Sequence, residues 1–147
     1  MIKVRHSAVI HRPVSEVFKF VADVSQFNRW VTGAVRNKIT SPEPFGVGTT
    51  FDQEGEFMNK RLEFKQIEVI RYDLDERFAY KCPSGPMPFE MHYFFSLEEE
   101  NATKVTVVVV GENKGFLKMM GSVASAYYKF QLESDLKKLE EILTEST

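Results

Sequence analysis

Three histidines, one cysteine and five tyrosines are the side chains here best suited to acid–base, nucleophilic or metal chemistry. His6 falls at an inward position of an alternating segment. There it can donate to a buried ligand oxygen or exchange a proton near neutral pH, although a histidine so placed is more often a satisfied structural group. His11 falls at a strand end, and His92 lies on the polar side of its strand. The three are not spaced like metal ligands, and no metal is expected. Cys82 has no cationic neighbour in sequence to lower its pKa, which argues against a reactive thiolate. Tyr80, Tyr93 and Tyr127 fall at inward positions, where their hydroxyls would polarise a carbonyl as an aldol cyclisation requires. That chemistry also needs a base. Arg36, Arg71, Glu56 and Glu63 lie on strands where a one-residue slip moves each side chain to the other face, so none is assigned. No Ser/His/Asp order, GxSxG or P-loop lysine is present, and Gly46-Val47-Gly48 lacks the strand–helix setting of a phosphate loop. No catalytic residue and no cofactor are assigned.

The second feature is aromatic. There are 13 Phe, 5 Tyr, 1 Trp and 6 Met, enough for a large apolar interior that is either filled or hollow. Trp30, Phe51, Phe57, Phe64, Tyr80, Phe89, Met91, Tyr93 and Phe95 are the candidate wall of a cavity. Phe116, Met119, Met120, Val123 and Tyr127 are its candidate roof, with His6 as a polar handle. An apolar pocket with a few polar groups is the usual form of a small-molecule site, and methionines on a roof adapt to ligand shape. The bland alternative is that the same residues simply fill a core.

These side chains need elements to position them. Ile2, Val4, His6, Ala8 and Ile10 alternate as on a half-buried strand. Pro13 presets a helical turn, and Val14, Val17, Phe18 and Val21 follow at helical spacing. Val24, Phe27, Trp30 and Val31 form a second short stripe, ended by Gly33. Six period-two segments follow, at 34–40, 49–58, 61–73, 77–82, 88–98 and 103–111, with short polar, Gly or Pro connections that favour an antiparallel meander. The apolar parity changes between Phe64 and Ile67, which places a β-bulge there.

From Gly115 onward the pattern is one long helix with two stripes. Phe116, Met119, Met120, Val123, Tyr127 and Phe130 share one side, and Leu132, Leu136, Leu139 and Leu143 fall nearly opposite. The switch implies either a kink near 130–133 or different partners for the two halves. Small residues from Gly121 to Ala126, with the Pro83–Pro86 loop, are a candidate entrance.

The 147 residues set a prior of one domain. Against 19 Lys+Arg stand 21 Asp+Glu, a net charge of −2 that offers no broad basic field for nucleic acid. One cysteine excludes an intrachain disulfide, and no apolar run is long enough to span a membrane. The charged N-terminus is unlike a signal peptide, and a cytoplasmic location is the expectation. In Val107–Val110 alternation turns Val108 and Val110 outward near Phe94 and Val9, an apolar patch expected to be a homodimer contact.

Several stretches resemble a known superfamily. They are Val9-Ile10-His11-Arg12-Pro13-Val14-Ser15-Glu16-Val17-Phe18, Phe27-Asn28-Arg29-Trp30 and Gly46-Val47-Gly48-Thr49-Thr50-Phe51. Val69-Ile70-Arg71-Tyr72-Asp73 leading to Arg77-Phe78-Ala79-Tyr80 follows, and Leu132 with Leu136-Lys137-Lys138-Leu139-Glu140 closes the series. In this order they are similar to the START-like, helix-grip (SRPBCC) proteins, which include the birch pollen allergen and the polyketide cyclase/dehydrase and lipid transport family. The resemblance implies an α+β fold over residues 1–147: a seven-stranded curved antiparallel sheet gripping a long C-terminal helix, with two short helices between the first and second strands. It implies binding or transport of a hydrophobic small molecule, lipid-like or polyketide-like, in an internal cavity. A cyclase or dehydratase on the same fold, or a protein-interaction module with a filled core, are the alternatives, because fold alone does not settle activity.

Overall fold

Lys3 and Arg5 face solvent while Ile2 and Val4 pack on the core, so the first segment forms an amphipathic strand, β1 (Ile2–Ile10). The structure is a computed structural model that describes residues 2–57, 59–83, 88–112 and 122–145. Pro13, at φ −59°, leads into α1 (Val14–Val21), which buries Val17, Phe18 and Val21. The second stripe divides into a 3-10 turn (Val24–Gln26) and α2 (Phe27–Trp30). Asp23 Oδ1 caps the turn by accepting from the Ser25 backbone N–H at 3.1 Å. Gly33, at φ +84°, then redirects the chain into the sheet.

The remaining strands are β2 (Ala34–Ile39), β3 (Thr50–Phe57), β4 (Lys60–Asp73), β5 (Arg77–Cys82), β6 (Phe89–Glu99) and β7 (Ala102–Gly111). Strands β2 to β7 pair antiparallel in chain order, and β1 closes the series against β7, from Ile2 opposite Gly111 to Ile10 opposite Thr103. The expected six-stranded meander, β2 to β7, is thus extended by β1 into the expected seven-stranded sheet. The bulge lies where the parity break put it. Phe51 faces Ile67 and Gln53 faces Phe64, so β4 carries an extra residue against Asp52. Gln66 takes φ +57° there, and its N–H donates to Asp52 Oδ1 at 3.0 Å. A second register shift at Val69/Arg71 bends β4 again.

The C-terminal helix α3 (Ser122–Glu145) packs along β1 and against α2. It is one uninterrupted helix with one buried stripe: Ala124, Tyr128, Leu132, Asp135, Leu136, Leu139 and Leu143. This corrects the two-stripe expectation at Val123 and Phe130, while Phe116, Met119 and Met120 of the expected second stripe lie outside the described residues. Ala124 and Tyr128 extend the leucine line toward the N-terminus, and Val123 and Phe130 fall outside it, 60% and 68% exposed. Ala124 and Tyr128 are easily overlooked because one is small and the other amphipathic. Among the described residues, no helix is long and apolar enough to cross a membrane.

Candidate functional site

Where α3 passes over the concave side of the sheet, a cavity of about 60 Å³ remains. The α2–β2 junction contributes Val31, Thr32 and Gly33, β3 contributes Gln53 and Glu56, and β4 contributes Phe64 and Ile67. Tyr80 of β5, Phe89 and Met91 of β6, and Tyr127, Tyr128 and Gln131 of α3 complete the lining. Gly33 has a structural reason to be there. A Cβ at this position would meet the Glu56 carbonyl oxygen at 2.8 Å, and the Gly33 oxygen accepts from the Glu56 N–H at 2.8 Å.

Five of the expected wall and roof residues, Phe64, Tyr80, Phe89, Met91 and Tyr127, come together at this cavity. Four others lie in the packed core beside it. Trp30 and Tyr93 meet edge to face at 5.8 Å, Phe51 packs on Tyr80 at 5.8 Å, and Phe95 packs on Phe18 at 5.2 Å. Most of the aromatic interior is therefore interlocked rather than hollow. His6 is half-buried on β1 opposite Val107 and is not a lining residue, and neither is the exposed Val123. Phe116, Met119, Met120, the side chain of Phe57, and part of the candidate entrance (84–86 and Gly121) lie outside the described residues.

The sequence reading missed Asp135. It is 2% exposed, in the middle of the leucine stripe of α3. The Thr32 backbone N–H and hydroxyl both donate to its Oδ1, at 2.7 and 2.6 Å. Its Oδ2 has no hydrogen-bond partner, and neither do the buried Trp30 Nε1, Tyr93 hydroxyl and Tyr128 hydroxyl. The Tyr93 and Tyr80 hydroxyls sense one another, but their geometry falls short of a hydrogen bond. The Gln131 amide stands in the same relation to Asp135. An acid at a buried helical position, three residues after Leu132 and four before Leu139, was the available signal. Its partner Thr32 lies too far away in sequence to be foreseen.

Burial pushes the Asp135 carboxyl up to about 6, with the Thr32 hydrogen bonds and the Lys138 charge opposing the rise. Burial also raises the tyrosines. Tyr128 reaches about 12, and Tyr80 and Tyr93 are pushed well above the ordinary phenol value, with the nearby Asp135 adding to both. Near pH 7 the site therefore holds neutral phenols and one carboxyl able to exchange a proton. The arrangement can hold a polar group at the end of an apolar space, and it supplies a general base. Among the described residues no three His, Cys, Asp or Glu side chains are grouped to hold a metal.

Other candidates lie elsewhere. Glu56 lines the cavity, but Arg36 pairs with Glu54 and Arg71 with Asp73 at half-exposed or exposed positions. His92 sits between Arg77 (3.2 Å) and Glu90 (2.9 Å) on the convex face. A larger groove of about 600 Å³ runs outside, between α1 and the β4–β5 turn, lined by Phe18, Ile39, Phe45, Tyr72 and Leu74. Of the buried polar atoms left without hydrogen-bond partners, Arg12 Nε, Asn37 Oδ1 and Arg77 Nε lie elsewhere, but the Tyr128 hydroxyl lines the inner cavity and Asp135 Oδ2 belongs to a side chain bonded to the lining Thr32, which marks the inner cavity as the candidate site.

Residues 1–141 match the family described as polyketide cyclase / dehydrase and lipid transport. No functionally curated protein is significantly similar in sequence. Among solved structures, a START superfamily protein from Mycobacterium smegmatis superposes with a TM-score of 0.86 at 15% identity, covering 99% of both chains. The TTHA0849 protein of Thermus thermophilus gives 0.81 at 21% identity, covering 99% of this chain and 100% of its own. The Zhui aromatase/cyclase from a Streptomyces species gives 0.78 at 12% identity, covering 95% of this chain and 92% of its own. At these identities the structural matches establish the shared fold.

Proposed function

The chain belongs to the polyketide cyclase/dehydrase and lipid transport family, and from that premise we propose that it binds a hydrophobic small molecule between α3 and the sheet. The observation that carries this is the cavity itself, an apolar surface of Phe64, Ile67, Phe89 and Met91 facing Tyr127, Tyr128 and Gln131 of one helix. Its volume is small beside the ~300–1,000 Å³ of ordinary ligand pockets, so a ligand of that size enters by displacing α3 or the Met91 and Gln131 side chains. Native mass spectrometry of the purified protein, followed by solvent extraction, tests this. A co-purified lipid-like or polyketide-like molecule supports it. No guest, together with no binding of any apolar probe, rejects it and leaves a protein-interaction module with a filled core.

Asp135 favours a second reading, catalysis in the same cavity. It is the base that the sequence alone did not reveal, set among phenolic donors as a cyclase or dehydratase requires. Turnover of a poly-β-ketone mimic, lost in Asp135→Asn and in Tyr93→Phe, would establish it. Binding without turnover leaves the carrier.

The homodimer contact is proposed on the convex face. Val108 and Val110 are half-buried there, and Phe94, 37% exposed, lies under the Arg77 guanidinium at 4.7 Å. A dimer mass at micromolar concentration in sedimentation supports this, and a monomer rejects it.

A further inference from the structure

The Asp135 carboxylate has one oxygen saturated by two Thr32 donors and the other empty. The empty oxygen is not alone. Tyr128, a lining residue, has an unpartnered hydroxyl, and Trp30 Nε1 and the Tyr93 hydroxyl, from two rings in contact, are also unpartnered. Asp135 is bonded to the lining residue Thr32 and lies one turn from the lining residue Gln131. Buried polar groups are normally paired, so the unpartnered Tyr128 hydroxyl on the cavity wall and the unpartnered Asp135 oxygen behind the lining Thr32 are the groups a guest there would satisfy.

We infer that the cavity takes a ligand carrying a hydroxyl (an alcohol, enol or phenol), which donates to Asp135 Oδ2 and accepts from the Tyr128 hydroxyl. This rests on the reading of the cavity as a small-molecule site and adds the chemical class of the group bound. The donor set selects it. A carbonyl or ether oxygen accepts but has no hydrogen for a carboxylate. An ammonium donates but cannot accept from a tyrosine O–H. A hydroxyl does both at one atom.

Phenol and toluene test this as a matched pair, differing by OH for CH3 on the same ring. Their dissociation constants are measured by NMR titration for the native protein, for Asp135→Asn and for Tyr128→Phe. Asparagine keeps an oxygen for Thr32 and puts an NH2 where Oδ2 stood, exchanging an acceptor for a donor. The native protein should bind phenol at least ~10-fold tighter than toluene, because a site with unpaired polar groups rejects the analogue that leaves them so. In Asp135→Asn that preference should fall by ~10-fold or more with toluene binding kept. Tyr128→Phe should lower the preference by a smaller factor, which keeps the test available should Asp135→Asn not fold. Equal binding of the two probes, tighter toluene binding, or a ratio unmoved by either variant overturns the hydroxyl inference while leaving the cavity as an apolar binding site, its polar atoms served by water. Binding of neither probe overturns the cavity reading itself.

Discussion

Asp135 is a buried acid held in the middle of an apolar stripe, and its raised pKa makes a signed prediction about stability. The unfolded value is 3.8 and the folded value about 6, so between these pH values the folded state binds more protons. The stabilisation from this group is full below about pH 4 and is lost as pH rises through 6. The shift corresponds to on the order of 3 kcal/mol. The groups around it, Tyr80, Tyr93 and Tyr127, stay neutral over this range. Urea unfolding from pH 4.5 to 8 should therefore show Asp135→Asn losing less stability than the native chain as pH rises, and matching or exceeding it at pH 8. Parallel pH profiles for the two proteins would contradict the assignment. The orphaned Tyr128 hydroxyl gives a second test. Removing an unpartnered buried hydroxyl costs nothing in hydrogen bonding, so Tyr128→Phe should leave the melting temperature unchanged or raised. At this scale the sequence showed which rings face inward but not which of them touch. Tyr80 and Tyr93 share the inner face, yet only Tyr80 reaches the cavity, because Trp30 covers Tyr93.

The elements hold the site through a few positions whose substitution effects differ sharply. Leu132 and Leu136 are completely buried on α3, and replacing either with alanine should cost ~2–5 kcal/mol in denaturant unfolding. Phe130→Ala, on the exposed side of the same helix, should fall within ~0.5 kcal/mol of the native chain. If Phe130→Ala were the costlier change, the helix would be rotated from the orientation described. Gly33→Ala should destabilise by ~1–3 kcal/mol, since a left-handed backbone and the Glu56 carbonyl both oppose a Cβ. The strand pattern was legible down to the bulge at Gln66, because a period of two registers a single extra residue as a change of face. Helix faces were less legible. A 100° step spreads Val123, Ala124, Tyr127 and Tyr128 over a broad arc, and the structure places the stripe on Ala124 and Tyr128, one position past the residues that looked most apolar.

For the molecule as a whole, the order of elements and their short connections sufficed to specify the seven-stranded sheet and its terminal helix. The interior volume was not specified in that way. Whether rings across a curved sheet meet or leave a gap depends on rotamers and on a few ångströms of helix position, and the interlocked Trp30, Phe51, Tyr93 and Phe95 show that most of them meet. What is left is an inner space bounded by Ile67 and Met91 on the sheet, beside a larger groove outside bounded by Ile39 and Leu74. A methyl-NMR titration with benzene separates the two directly. Saturable shifts are expected at the Ile67 and Met91 methyl groups, with those of Ile39 and Leu74 unmoved. Shifts confined to Ile39 and Leu74, or none at Ile67 and Met91 at saturating benzene, would contradict binding in the inner space.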